Sequence, residues 1–215
     1  MPLYKTITVN PTTKVLIWKI EESFDDLIED IELTQRSKNR VDGMRSKLHQ
    51  RGFLSIRHLL ASEGYFDHDL FYDENGKPHL KDGKHISITH SFTFSAIIIS
   101  NIEVGIDVEK KREKILKIAH KFTTFDDYQR LNHRDVIIRK LTIVWCAKES
   151  LYKSFNRVGL TFLNHIYVED FSLYHNEAIA EVDFEDKRER YDITFLEFEG
   201  FTCAYALLNE RKKND

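Results

Sequence analysis

Apolar and polar residues alternate from Tyr4 to Val9 and from Val15 to Ile20, on either side of a turn-like Asn10-Pro11, and this period of two predicts a pair of strands. The period then lengthens to that of a helix. Phe24 to Leu33 and about Val41 to Ser62 space their apolar side chains three and four apart, the second as one long helix carrying Arg45, Lys47, Arg51 and Arg57. Asp73-Glu-Asn-Gly-Lys-Pro78 reads as a turn, because Asn75-Gly76 tolerates positive φ and Pro78 cannot continue a helix. Three strand-like runs follow, His85 to Thr89, Thr93 to Ser100 and Val104 to Glu109, and their short connections predict a β-meander. Helical spacing returns over Lys111 to Phe122 and about Asp135 to Phe155. Short strands close the chain at Ile166 to Glu169, Ala178 to Val182, Tyr191 to Phe198 and Thr202 to Leu208.

The order β, α, β and then α, β predicts an α+β protein. A faint internal echo supports two related halves: Phe92-Thr93 opens an apolar strand ending at Ser100-Asn101, and Phe201-Thr202 opens one ending at Leu208-Asn209. Eight glycines and three prolines supply no flexible linker, so two lobes, placed at residues 1–103 and 104–215, must be joined by ordered chain.

Composition narrows the class. In 215 residues, 41% are hydrophobic and 12% aromatic, enough to build a core without disulfides, which excludes a disordered or collagen-like chain. Lys and Arg number 32 against 35 Asp and Glu, a net charge of -3 that argues against holding long nucleic acids through the overall field. Cys146 and Cys203 have neither metal-ligand nor disulfide-framework spacing, which suits buried thiols in a reducing compartment. The start, Met1-Pro-Leu-Tyr-Lys5, has no apolar run of a signal peptide, and Ala96 to Ile99 is far too short to cross a membrane. The expectation is a cytoplasmic protein away from membranes.

Three clusters could carry chemistry. On the strand Val104-Gly-Ile-Asp-Val-Glu109, Asp107 and Glu109 point to one face and Ile106 and Val108 to the other. Two carboxylates on one face suit a hard cation such as Mg²⁺ or Mn²⁺, while the plainer reading is the solvent face of an edge strand. In Trp145-Cys-Ala-Lys-Glu-Ser-Leu-Tyr-Lys153, Glu149 and Lys153 share a helical face with Trp145, and Lys148 is turned about a quarter-circle away. A surface Glu-Lys pair is the ordinary explanation, but the apolar neighbours Leu141, Val144 and Leu151 argue that this face is partly buried and needs partners. Ser87-Ile-Thr-His-Ser91 ends a strand in His90 between hydroxyls, an arrangement able to grip phosphate oxygens. Lys77 adds a cation that alone reads as a solvated turn lysine.

Taken in order, Gly76-Lys77-Pro78, Ser87-Ile-Thr-His-Ser91, Gly105-Ile-Asp107-Val-Glu109 and Trp145-Cys-Ala-Lys148-Glu149-Ser-Leu-Tyr-Lys153 resemble the motif series of the 4'-phosphopantetheinyl transferase superfamily, surfactin-synthetase-activating (Sfp) type. The likeness spans roughly residues 76–160, and Asp107 in mid-chain favours the fused, two-lobed branch over the half-length one. It implies two similar α+β lobes with the active site in the cleft between them, and a monomer. It implies that the phosphopantetheine arm of coenzyme A passes to a serine of an apo acyl or peptidyl carrier protein, releasing adenosine 3',5'-bisphosphate. Asp107, Glu109 and Glu149 would hold Mg²⁺, with Mn²⁺ as a substitute. Glu149 would also take the serine proton, and Lys153 would steady the pyrophosphate. His90 and Ser91 would meet a phosphate, and Lys77, Lys47, Arg51 and Arg57 the adenosine 3'-phosphate. A further acid frequent in the family would be Asp126 or Asp127, and Gly159 matches a family glycine where Phe155-Asn156 departs from an earlier one. The rivals are a Mg²⁺-dependent phosphodiesterase or nuclease, and a coenzyme A-binding module without catalysis.

Overall fold

The computed structural model describes residues 3–124, 131 and 133–209. The chain divides between Asn101 and Ile102 into two units, two residues before the boundary expected from sequence.

In the first unit, β1 (Leu3–Asn10) and β2 (Thr13–Lys19) form the expected hairpin. After the capped short helix α1 (Phe24–Glu29) come α2 (Gln35–Asp42) and α3 (Lys47–Ser62). The long helix expected from about Val41 begins instead at Lys47, and α2, which reaches back to Gln35, is a separate helix not expected from sequence. Apolar spacing runs through the break, but Ser46 accepts a hydrogen bond from the His49 N–H and starts a new helix just after Gly43, leaving Arg45 between them. The strands β3 (Leu70–Tyr72), β4 (Pro78–Leu80), β5 (His85–Ser91) and β6 (Phe94–Ser100) complete a six-stranded antiparallel sheet in the order β1-β2-β6-β5-β4-β3. Leu54, Leu59 and Leu60 of α3 pack with Leu16, Ile86 and Ile97 of the sheet in a closed apolar core.

The second unit opens with β7 (Val104–Lys110), followed by α4 (Lys114–Ile118), α5 (Arg134–Phe155), α6 (Phe162–His165) and the strands β8 (Ile166–Val168), β9 (Glu177–Phe184), β10 (Lys187–Phe198) and β11 (Phe201–Leu208). Its sheet runs β7-β11-β10-β9-β8. The third strand of the expected meander thus belongs elsewhere: β5 pairs with β6, but β7 pairs with β11 from the far end of the chain. Short connections predict neighbours well only while no better partner is on offer, and the apolar β11 is one.

Each unit follows the same path. A first strand (β2 or β7) leads into helices, and a returning meander brings its last strand (β6 or β11) beside the first. The two echoing sequence segments are these last strands. Among the described residues, no helix is long and apolar enough to cross a membrane.

Candidate active site

The placement of α5 on β7 decides the geometry of the second unit's acids. Gly105 permits it: a Cβ there would lie 1.8 Å from the Ser150 carbonyl oxygen, so the helix backbone rests where any side chain would sit. Two further contacts hold the seam. Ser150 Oγ donates to the Ala204 carbonyl at 2.8 Å, and Cys146 Sγ lies 3.1 Å from the Asp107 carbonyl.

This seating brings α5 side chains onto the acidic face of β7. Lys153 Nζ donates to Asp107 Oδ1 at 2.7 Å and to the Ile106 carbonyl at 3.0 Å, with the Asp107 side chain only 8% exposed. Glu149 lies one turn earlier on the same helical face, and its carboxyl is pushed up to about 7 by burial and by the Asp107 charge, against the pull of Lys153. Glu109 is raised for the same two reasons, burial first and Asp107 second. It accepts a hydrogen bond from Trp145 Nε1 at 3.2 Å. For Lys153, burial works against the charge, but Asp107 and Glu149 outweigh it and keep the ammonium protonated.

The donors fit a hard divalent cation. Their oxygens are of the right kind, and the Asp107 charge that helps raise both Glu109 and Glu149 is one a bound cation would offset. The described residues nonetheless hold no converged trio of ligands. Asp107 is bound by Lys153 and Glu109 by Trp145, while Asp126 and Asp127 lie outside the described residues. Mg²⁺ often takes only one or two carboxylates and completes its shell with water and substrate phosphates.

Lys148 points away from this face, as its position on the helix predicts. It is buried, and its Nζ donates to the Phe162 carbonyl at 2.7 Å, tying α6 to α5. At the end of α5, where the resemblance implies a glycine, Asn156 takes φ 46° and ψ 56° and Gly159 takes φ +91°. Asparagine is the side-chain-bearing residue that best tolerates this left-handed cap.

The cationic residues of the first unit do not all gather. His90, at the end of β5, packs edge-to-face on His49 of α3 with ring centroids 5.8 Å apart. Together with Arg40, Gly52, Phe53, Arg57 and Tyr72 they line a cavity of about 280 Å³. Gly52 makes room for the imidazole: a Cβ there would come within 2.6 Å of His90 Cδ2. Lys47, Lys77, Arg51 and Ser91 do not line this cavity. Arg51 caps the Ile20 carbonyl at 2.9 Å, and Lys77 donates its backbone N–H to Asp73 at 2.9 Å in the expected turn.

Arg57, which also lines the cavity beside His90, is engaged by a buried partner. It is 5% exposed, its Nε donates to Asp67 Oδ1 at 2.9 Å, and its guanidinium lies 3.5 Å from the Phe53 ring centroid. Asp67 also accepts from Thr34 and Ser37 at the start of α2, so this buried pair fastens α2 to α3. Arg40 and His49 were not singled out from sequence: Arg40 lies before the expected helix, and nothing local to His49 shows that it meets His90.

Comparison with known proteins agrees with the motif series. The model of the 4'-phosphopantetheinyl transferase superfamily matches residues 103–206. A curated relative, the 4'-phosphopantetheinyl transferase gsp of Aneurinibacillus migulanus, is 30% identical over 179 residues, covering 80% of this chain and 72% of its own.

Proposed function

Because the chain belongs to the 4'-phosphopantetheinyl transferase superfamily, we propose that it moves the 4'-phosphopantetheine arm of coenzyme A onto a serine of an apo acyl or peptidyl carrier protein. The observation that carries this reading is the compact set on β7 and α5, with a carboxyl at Glu149 poised near neutrality beside the Lys153–Asp107 pair.

In the proposed reaction the serine oxygen attacks the pantetheine-bearing phosphorus, and the bond from that phosphorus to the bridging oxygen breaks. Adenosine 3',5'-bisphosphate departs with the bond's electrons. Glu149 takes the serine proton, a role suited to a base whose pKa is near the working pH. Asp107, Glu109 and Glu149 would hold Mg²⁺, or Mn²⁺ in its place. When bound, the ion would neutralise charge gathering on the pyrophosphate oxygens. Lys153, protonated and able to turn from Asp107, would offset charge on the leaving group. His90 would contact a phosphate, and the cavity beside it, with the cation Arg40 on its wall, suits the phosphorylated adenosine end. Lys47, Lys77, Arg51 and Ser91 remain candidates for outer phosphate contacts. Arg57 lines the same cavity, where its charge would be shared with Asp67. Two buried, unbridged thiols suit work in a reducing cytoplasm, and the proposed enzyme is a monomer.

Release of adenosine 3',5'-bisphosphate, followed by chromatography, tests the reading. Release is expected only with Mg²⁺ and a carrier bearing its acceptor serine, and it should stop with EDTA or a serine-to-alanine carrier. Release without any carrier would favour a phosphodiesterase, and coenzyme A binding with no release under any condition would favour a binding module.

A further inference from the structure

We propose that Trp145 is a positioning residue for Glu109, and that its indole N–H sets how tightly the acidic face of β7 binds a divalent cation. The inference rests on the proposed metal role of Glu109 and assigns the tryptophan a part in it beyond packing.

The tryptophan cannot swing freely. Its ring lies 5.0 Å from Phe122, at 64° between planes, and 5.2 Å from Phe162, at 46°. Phe162 is itself anchored through its backbone carbonyl, which accepts the buried Lys148 ammonium at 2.7 Å. A ring wedged between two others presents its single N–H in one direction, and Glu109 Oε1 is there at 3.2 Å.

A glutamate has three side-chain torsions to fix before it can serve as a ligand, and a donor on one oxygen fixes them in advance. The choice of donor also matters. A lysine or arginine would hold Glu109 as well, but its charge would repel an incoming cation. The indole N–H orients the carboxylate while adding no net charge. Asp107 has the opposite arrangement, being held by the Lys153 ammonium at 2.7 Å. The two acids of β7 therefore have unlike hydrogen-bond supports: a charged one on Asp107 that must be released or shared when a cation arrives, and a neutral one on Glu109 that can stay, although the charges of Arg112 and Lys153 also act on Glu109.

The alternative is that Trp145 only fills space. Trp145→Phe separates the two, because it keeps an aromatic ring between Phe122 and Phe162 and removes only the N–H. Mn²⁺ binding to the full chain, read from the loss of the free ion's electron paramagnetic resonance signal, should weaken about tenfold in W145F, the lower end of the effect of losing a ligand's hydrogen-bond partner. Coenzyme A affinity without metal should be unchanged, and kcat should recover when the metal is raised to saturation. In a Glu109→Ala background W145F should weaken Mn²⁺ binding no further. Wild-type affinity in W145F, or an equal loss on the E109A background, would overturn the inference while leaving the metal role of Glu109 standing. No Mn²⁺ binding by the wild-type chain would overturn both. Should W145F fail to fold, Phe162→Leu loosens the indole without removing its N–H, and the inference then requires a partial loss of Mn²⁺ affinity. Unchanged affinity there would count against it.

Discussion

Replacing Gly105 by alanine adds one methyl group at the point where α5 crosses β7. That methyl would lie 1.8 Å from the Ser150 carbonyl oxygen, where ordinary contact begins at 3.4 Å, so the two backbones must part by about 1.6 Å. No flexible side chain stands between them to absorb the shift. Ser154 Cβ, 3.2 Å from the added atom, blocks a sideways escape. The stability cost should reach or exceed the upper end of the roughly 1–3 kcal/mol typical of an overpacked core. The functional cost should be larger. The same movement stretches the 2.7 Å contact between Lys153 and Asp107 and carries Glu149 away from β7, and a misplacement of about 1 Å can cost about 10²-fold in rate. Urea denaturation gives the first quantity, and the initial rate of carrier modification by the folded fraction gives the second. G105A with wild-type stability and rate would refute the idea that this glycine seats the helix that carries the site.

Gly52→Ala places its methyl 2.6 Å from the His90 ring, but here a side chain can yield. KM for coenzyme A should therefore rise about tenfold, equivalent to about 1.4 kcal/mol, with little change in unfolding; an unchanged KM would remove His90 from the binding site. Asp67→Asn strands the buried Arg57 cation and should cost about 3–5 kcal/mol at neutral pH by chemical denaturation. Its pH dependence has a definite sign. Burial raises the Asp67 carboxyl, but hydrogen bonds from Thr34, Arg57 and Ser37 outweigh it and hold the group below its ordinary value. The charged aspartate thus stabilises the fold fully above the unfolded pKa of about 3.9, and this contribution falls away as pH drops through the lower folded value. The gap between wild type and D67N should narrow as the medium is acidified below about pH 4, and a constant gap would contradict the assignment. Lys153→Met should lower kcat by about 10²–10³ with a much smaller effect on coenzyme A affinity, since its charge is proposed to act mainly as the leaving group departs; a loss confined to KM would assign it to binding alone.

The parts that were legible from sequence are those set by local periodicity. The alternation on β7 places Asp107 and Glu109 on one face, and the four-residue spacing on α5 places Glu149 above Lys153; both arrangements are found. What was not legible depends on partners distant in sequence. Nothing within Val104 to Glu109 announces that its partner is β11 and not the preceding strand. The break between α2 and α3 turns on one serine cap, which continuous apolar spacing conceals. Arg57 reads as a phosphate-facing helix cation, and its buried pairing with Asp67, brought back by the loop after α3, has no local signal. The Asn156 cap shows the reverse case, in which a residue that departs from the family's expected glycine still takes the left-handed conformation that favours glycine.

The central claim is that this chain transfers phosphopantetheine. It is tested most directly by the intact mass of apo carrier proteins, drawn from several biosynthetic systems, after incubation with the protein, coenzyme A and Mg²⁺. The account predicts that at least one carrier gains the mass of a single phosphopantetheine arm on its serine, and that Asp107→Ala and Glu149→Ala abolish the gain. No carrier gaining mass while the wild-type protein binds coenzyme A, or an undiminished gain with both variants, would contradict it.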